Sequence, residues 1–414
     1  MLDRIVPEKA IQQDPKDWDF VADPYSQYAK WHTEPGPIYW ADYDLWCLFE
    51  FDSVNRTLRD RRFARLPPPA IERVSLGDHM QDFERADANS LLNMEPPQHT
   101  RLRKQVNRAF VSRQIGRMEP FINALAHRCI DEFETSAQIE LMEHYATNIP
   151  LVVITKLLGV PESAGPQLVE WSRAMTRVYT RIQSVEEEVI ANTAAADFRT
   201  FLFDIIAQKR KQPGDDLLSH MVSLEDPNAT LSDEEIVSVS ILLLNAGHEA
   251  TVSLIGNSVF TLLKHYDSEH RATLLNLLKD NDKAGDVVEE CLRFASPLHM
   301  FTRYAQENVT LDNGVELVAG QEVGLLLAAA NRCPARFSEP DAFVPGRPDA
   351  ASLSLGAGIH YCIGAHLTKL EMRVALQVLF ERLPNVHLKV QPEYQDRYHF
   401  HRLERLDVAW YSGA

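Results

Sequence analysis

The sequence predicts a mainly α fold with small β-sheets. Long segments repeat apolar residues at the helical period, strand-like runs are few and short, and a capping box heads the longest apolar segment. Helical spacing covers Pro120 to Glu134, Tyr145 to Leu158, Gln167 to Arg181 and Val185 to Lys211, then Asp233 to Tyr266, Ser268 to Lys279, Ala284 to Phe294 and Ala365 to Leu383. Ser232 with Glu235 fixes the start of the 233–266 helix, whose length requires it to cross the middle of the molecule. Strand patterns appear at Ile38 to Phe49, at Val309 to Leu317 around Asp312-Asn313-Gly314, at Glu322 to Leu327, and at Val386 to Val390 with Leu406 to Trp410. Proline-rich loops fall at Leu66 to Ala70, Glu95 to Pro97 and Asp341 to Pro348. No repeat, low-complexity tract or linker divides the chain, so residues 1–414 are expected to form a single domain.

Composition excludes several classes. At 414 residues and 45% hydrophobic content a large core is available. The richest apolar stretch, around Ile241 to Leu244, is broken by Asn245, His248 and Glu249, so no membrane anchor is expected. MLDRIVPEKAIQQDPKDWDF has no leader pattern, and a cytoplasmic location is expected. The five cysteines, Cys47, Cys129, Cys291, Cys333 and Cys362, are scattered without CxxC spacing, which suggests neither disulfides nor zinc. A net charge of −17 argues against nucleic acid. Against that average, His99 to Arg117 carries Arg101, Arg103, Lys104, Arg108, Arg113 and Arg117 with no acidic residue.

One cysteine stands apart. In SLGAGIHYCIGAHL, Cys362 lies among Gly356, Gly358 and Gly364, directly before a helix beginning at Ala365. A thiolate is the ligand form of cysteine, and backbone N–H groups at a helix start favour it. The stretch is not GxGxxG, because Tyr361 stands where the third glycine belongs. A Cys362–His360 nucleophile pair is disfavoured, since residues two apart in an extended turn point away from each other, while a plain structural loop remains open.

LGAGIHYCIG resembles the haem-binding loop of the cytochrome P450 family, F-G-x-G-x-H/R-x-C-x-G, with Leu355 in place of phenylalanine. Glu290-Cys291-Leu292-Arg293 resembles the family's ExxR pair; AANRCP and EPDAFVPGR follow it in family order, and DRRFAR extends the likeness back to Asp60. The resemblance implies a helix-rich lobe with a smaller β-containing lobe, and haem b with Cys362 as the iron ligand. Leu355, Gly356 and Gly364 would shape the haem loop, and Glu290 and Arg293 would anchor the segment 343–347. EPPQHTRLRK resembles the segment whose histidine and arginine bind a propionate, here His99 and Arg103; Arg303 and His360 match the other propionate contacts.

Asn245-Ala246-Gly247-His248-Glu249-Ala250-Thr251 resembles the family's A-G-x-D/E-T segment over the haem. Ala246, Gly247 and Glu249 match, and Gly247, costly in a helix, suggests a close approach to the backbone. Ala250 replaces the usual threonine, and Thr251 lies about 100° further around the helix. Three accounts stay open: Thr251 or an ordered water relays protons, a substrate hydroxyl completes the relay, or coupling is poor. The substrate or water route is preferred because Glu249 remains as a proton source. Asn245 is expected to bond either a polar substrate group or a neighbouring backbone group.

The reading that follows is a monooxygenase inserting one atom of O2 into a lipophilic small molecule. Leu242, Asn245, Met300, Phe301 and Phe400 are expected to line its pocket, with the regions Leu66 to Leu92 and Trp171 to Ile190. Electrons would come from a separate ferredoxin or flavodoxin with its reductase, so that NAD(P)H acts only indirectly, and Arg101, Lys104, Arg108 and Arg113 would receive the acidic carrier. A haem-thiolate sensor without turnover and a peroxide-driven enzyme are the alternatives.

Overall fold

The helix Asp233–His265 is the axis of the molecule, and its capping box is complete: Ser232 Oγ accepts from Glu235 N at 3.2 Å while Ser232 N donates to Glu235 Oε2 at 2.9 Å. In the computed structural model, which describes residues 10–34, 36–71, 76–108, 110, 115–179, 184–224 and 230–411, this helix is buried almost throughout. It is long and apolar enough to cross a membrane, but 83% of its apolar window lies inside the protein, so its hydrophobicity is that of a core element. Helices Asn148–Leu158, Gly165–Arg177, Val185–Lys211, Asn281–Phe294 and Ala365–Arg382 pack around it. One apolar core unites these helices.

The β-structure gathers to one side. Six strands pair in the order Ala10–Ile11, Ile38–Trp40, Leu45–Leu48, Glu322–Leu326, Met300–Ala305, Phe63–Ala64. Leu45–Leu48 runs parallel to Glu322–Leu326, with Trp46 opposite Val323, and Met300–Ala305 runs antiparallel to the same strand. Gly324 is required in the middle of this sheet: a Cβ there would stand 2.6 Å from Cys47 Sγ. One face of the sheet carries an aliphatic core, and the other an aromatic one built from Phe20, Tyr28, Trp31, Trp40, Tyr43 and Tyr398. A smaller sheet joins His387–Leu388, Asp407–Ala409 and Gln138–Glu140, and Val309–Thr310 forms a hairpin with Glu316–Leu317.

The predicted long helices are found with ends displaced by a few residues: Gly165–Arg177 starts earlier than expected, and Arg271–Lys279 later. Ile38 to Phe49 is a hairpin, because the chain turns through a 3₁₀ segment at Ala41–Tyr43 with Asp44 left-handed at φ 53°. Trp18–Ala22, Pro24–Trp31, Phe51–Arg59 and Gln81–Asp87 were not anticipated; they are too short for periodicity to register, and Asp17 and Asp23 cap the first two.

Buried histidines, His248 and His401 among them, make stability acid-sensitive. Burial lowers His248, beside Glu249, Arg402 and Arg173, and His401, beside Asp23, from the ordinary value of 6.5 to about 4. Between those values the unfolded chain binds protons that the folded one does not, so stability falls as pH drops from 6.5 towards about 4. Urea midpoints measured across that range are expected to decline; a flat profile would contradict the buried neutral state of both rings.

Candidate active site

The loop 354–364 is pinned from behind. Ser354 Oγ meets Ser296 Oγ at 2.7 Å and donates to Leu292 O, while Asn331 Nδ2 donates to Ser296 Oγ and Ser354 Oγ at 2.8 and 2.9 Å. Asn331 Oδ1 accepts from Leu353 N at 2.7 Å. This buried polar cluster fixes the loop to the end of Asn281–Phe294 and has every Ser and Asn group in use. Across the loop, Cys362 N donates to Leu355 O at 2.9 Å, and Leu355 packs against the main core, so leucine serves the loop's packing where the family pattern has phenylalanine.

Among the loop glycines, Gly358 is the one sterically demanded. Its φ is +71° and a Cβ would lie 2.2 Å from Leu58 O. Gly356 also needs its positive φ of +70°, with Phe301 packed nearby, whereas a Cβ at Gly364 would make only a 3.9 Å contact with Cys362 Sγ. Gly358→Ala is therefore expected to cost more than about 2 kcal/mol, from backbone strain plus the clash. Chemical denaturation of Gly358→Ala beside Gly364→Ala checks the contrast.

Cys362 is the one cysteine not fully buried, at the foot of the helix Ala365–Arg382; Cys47, Cys129, Cys291 and Cys333 are buried free thiols. Burial raises the Cys362 thiol, opposed by the Gly364 N–H, Arg103 and Lys369. Burial thus outweighs the helix start and the two nearby cations at this thiol. A coordinating metal ion deprotonates a thiol outright.

Beside the loop lies a cluster of cations. His99 is buried with Nε2 unpartnered, its ring 4.6 Å from that of His360. It does not cap its helix, whose N-cap is Pro97. Burial, with His360 and Arg103, lowers it to about 4. Arg303 is buried, donates to Thr302 O at 2.8 Å, and is lowered to about 9 by burial and by neighbouring Arg65. Arg65 donates to Leu92 O at 3.1 Å and Thr302 O at 3.4 Å. Glu95 Oε1 accepts from Arg65 N at 2.7 Å and faces His360 Nε2 at 3.4 Å. Arg103 donates to Tyr361 O, one residue from the thiol. Buried guanidinium groups that crowd one another and an imidazole nitrogen without a partner form a site for anionic groups. A haem, with two carboxylates and an iron that takes a thiolate, fits both halves of it.

The central helix supplies the other wall. Ala246 is exposed and Gly247 and Ala250 half-exposed in an otherwise buried segment. The nearest protein atom to a Cβ at Gly247 would be Ile154 Cδ1 at 3.5 Å, an ordinary contact, so no described protein atom crowds this glycine. Thr251 is buried and does not share the Ala246–Ala250 face. Glu249 is buried in an ion pair: Oε2 accepts from Arg402 Nη1 at 2.9 Å, and Oε1, without a hydrogen bond, lies 3.7 Å from His248 Nδ1 and 3.8 Å from Arg173 Nε. Burial raises this carboxyl, but Arg402, His248 and Arg173 together lower it further, so its value lies below the ordinary one.

Of the expected pocket residues, Leu242 and Asn245 lie on this helix, Phe301 reaches Gly356, and Phe400 bridges Leu298. Met300 does not belong with them: it is buried in the aromatic core behind the sheet, because alternate residues of its strand face opposite sides. Parts of the two expected pocket regions, 72–75 and 180–183, lie outside the described residues. Sequence reasoning missed Arg65, although it lies in DRRFAR; the expected anchoring of the segment 343–347 is found, with Arg347 Nε meeting both Glu290 oxygens at 3.2 and 3.1 Å. Arg293 and Glu290 are wholly buried; Arg293 donates to Glu290 at 2.8 and 2.7 Å and to Asn331 O, Pro340 O and Ala342 O. The pair is therefore a buried anchor and not a surface salt bridge.

A cysteine at a helix start, an anion cradle and a small-residue helix face together fit a haem-binding site. The family model "Cytochrome P450" matches residues 284–402. The chain is 36% identical to cytochrome P450 monooxygenase PikC of Streptomyces venezuelae over 90% of its own length and 87% of that protein, and 32% identical to 6-deoxyerythronolide B hydroxylase of Saccharopolyspora erythraea over 90% and 92%. The solved structure of P450BioI with an acyl carrier protein ligated to hexadec-9Z-enoic acid superposes with a TM-score of 0.87 and 31% identity, covering 95% of this chain and all of that one. The chain belongs to the cytochrome P450 family. It is a bacterial-type monooxygenase of small lipophilic substrates that carries haem and uses O2 and redox partners.

Proposed function

We propose that residues 1–414 act as one cytoplasmic domain holding haem b, with Cys362 as the iron ligand and His99, Arg103, Arg303, His360 and Arg65 around its propionates. The observation that carries this reading is the coincidence of a cysteine at a helix start with a buried cation cluster whose His99 Nε2 has no protein partner. When bound, the haem supplies activation of O2 for insertion into a C–H bond. The chain's own contribution is to place and protonate. Ala246, Gly247 and Ala250 leave room beside the helix, and Leu242 and Phe301 are the apolar side chains assigned to lipophilic substrates. Glu249 Oε1 takes a proton and passes it on, while Arg402 returns the group to its charged form. Because Thr251 faces away, an ordered water or a substrate hydroxyl carries the last transfer.

Electrons arrive from a ferredoxin or flavodoxin and its reductase. Lys104, Arg108 and Arg117 are exposed and suit an acidic carrier. Arg101 does not, since it pairs with Glu235 and Thr230 O; Arg113 lies outside the described residues. The test is product formation from NADH, a surrogate ferredoxin and reductase with a lipophilic library. Turnover supports the reading, turnover with peroxide alone replaces it by a peroxide-driven enzyme, and binding without either leaves the sensor. Ala250→Thr puts a hydroxyl on the Ala246 face and is expected to raise the ratio of product to hydrogen peroxide. An unchanged ratio with every substrate would remove the support for the water or substrate route.

A further inference from the structure

A second concavity shares no residue with the surroundings of Cys362 or with the Ala246 face. It is an open cleft of about 620 Å³ where the end of Gln98–Asn107, the start of Glu119–Asp131 and the end of Asn148–Leu158 meet the turn leading into Leu217–Val222. A volume of that order suits a small molecule. Met118, Phe121 and Leu157, packed against the main core yet only partly buried, give the cleft an apolar wall.

The charge of the cleft runs against that of the molecule. Arg108, Arg117 and Lys156 line it, all three exposed, and none forms a hydrogen bond or ion pair through its side chain to another described residue. Two carboxylates share the cleft, but Asp216 is already committed: its Oδ1 accepts from Ser219 N at 2.8 Å and its Oδ2 from Lys209 Nζ at 2.6 Å. Asp215 alone is left to balance three cations. His220 lines the same cleft with its Nε2 covered and without a hydrogen-bond partner, and burial, with Arg108 nearby, lowers its ring below the ordinary value.

An exposed cation is stable in water without a partner, so what singles these out is their convergence on one concave surface in a chain of net charge −17. Elsewhere Arg101, Arg199, Arg210 and Arg382 each have a carboxylate. An anion entering the cleft relieves the repulsion among its cations, and the apolar wall can cover a hydrocarbon part of the same molecule.

We propose that this cleft is a binding site for a small amphiphilic anion, an apolar ring or chain that carries a carboxylate, sulfate or phosphate, separate from the site of oxidation. Arg108, Arg117 and Lys156 take the charged head, and Met118, Phe121 and Leu157 take the apolar body. A bare inorganic anion uses only half of the site.

Calorimetric titration of the holoenzyme with 1-naphthyl phosphate, beside inorganic phosphate, tests this while the Soret band is followed. One equivalent of the ester is expected to bind at least about tenfold more tightly than inorganic phosphate, because it also buries apolar surface. The Soret band should not move, which separates the cleft from entry of the probe beside the iron. Lys156→Ala and Arg117→Ala, both at exposed positions, should each weaken the ester about threefold, and higher salt should weaken it in the native protein. Phe121→Ala should weaken the ester and leave inorganic phosphate unchanged, a split that loss of charge alone does not produce. Absence of saturable binding, or binding that shifts the Soret band and is unaltered in both cation variants, overturns the proposal. So does a surrogate ferredoxin whose affinity falls in Lys156→Ala while the ester fails to bind, a result that would give the cleft to the redox carrier.

Discussion

Cys362→Ser is expected to fold, to lose the thiolate-type spectrum under reducing conditions with carbon monoxide, and to lose monooxygenase turnover. The loop does not depend on the sulfur: its closing bond runs from Cys362 N to Leu355 O, and its anchors are Ser354, Asn331 and Ser296. Replacing sulfur by oxygen at a half-buried position with these bonds intact should change stability by about 0.5 kcal/mol or less. The chemistry changes far more, because a serine hydroxyl does not ionise as a thiol does and donates less electron density to iron. A serine variant that kept the thiolate-type band would show that the ligand is another residue, and among the described residues Cys47, Cys129, Cys291 and Cys333 are all buried elsewhere.

Glu290→Gln is expected to be the most destabilising single change, and to yield little holoprotein. The Glu290 carboxylate serves two guanidinium groups, those of Arg293 and Arg347, and also accepts from Val344 N at 2.7 Å. Neutralising it leaves two buried cations with backbone carbonyls alone, and breaking a buried pair this way costs about 3–5 kcal/mol. Against a net stability of about 5–15 kcal/mol that is a large share. Urea unfolding and haem content after purification provide the measurement. A loss under about 1 kcal/mol would mean that the carbonyls of Ser338, Pro340 and Ala342 suffice to hold both arginines.

What the sequence made legible follows the range of the interaction. The 233–265 helix announces itself locally, by its capping box and unbroken apolar period, and the structure differs by one residue at its end. Cys362 is legible because a helix start and glycines occur within ten residues of it. The anchoring of the segment 343–347 by Glu290 is legible only through the family pattern, and Arg65 is not legible, because its partners, the Thr302 and Leu92 carbonyls, are distant in sequence. Glu249 illustrates the same limit: its ion pair with Arg402, 153 residues further along the chain, cannot be read from the 245–251 segment. Met300 was placed in the pocket beside Phe301, whereas the strand's alternation sends neighbouring side chains to opposite cores.

The pairing of Leu45–Leu48 with Glu322–Leu326 also bears on how the chain is made. The strands nearest the N-terminus leave the ribosome early, yet their partner strand is synthesised only after most of the chain. Throughout that interval the edge of Leu45–Leu48 and the aromatic side chains of Trp31, Trp40 and Tyr43 have no completed sheet to cover them. The helical lobe, rich in local contacts, can form in the meantime, and closure of the β-lobe is the late, slow event. Slower synthesis at low temperature, or a chaperone that shields those early strands, should therefore raise the yield of soluble protein more than any change to the active site.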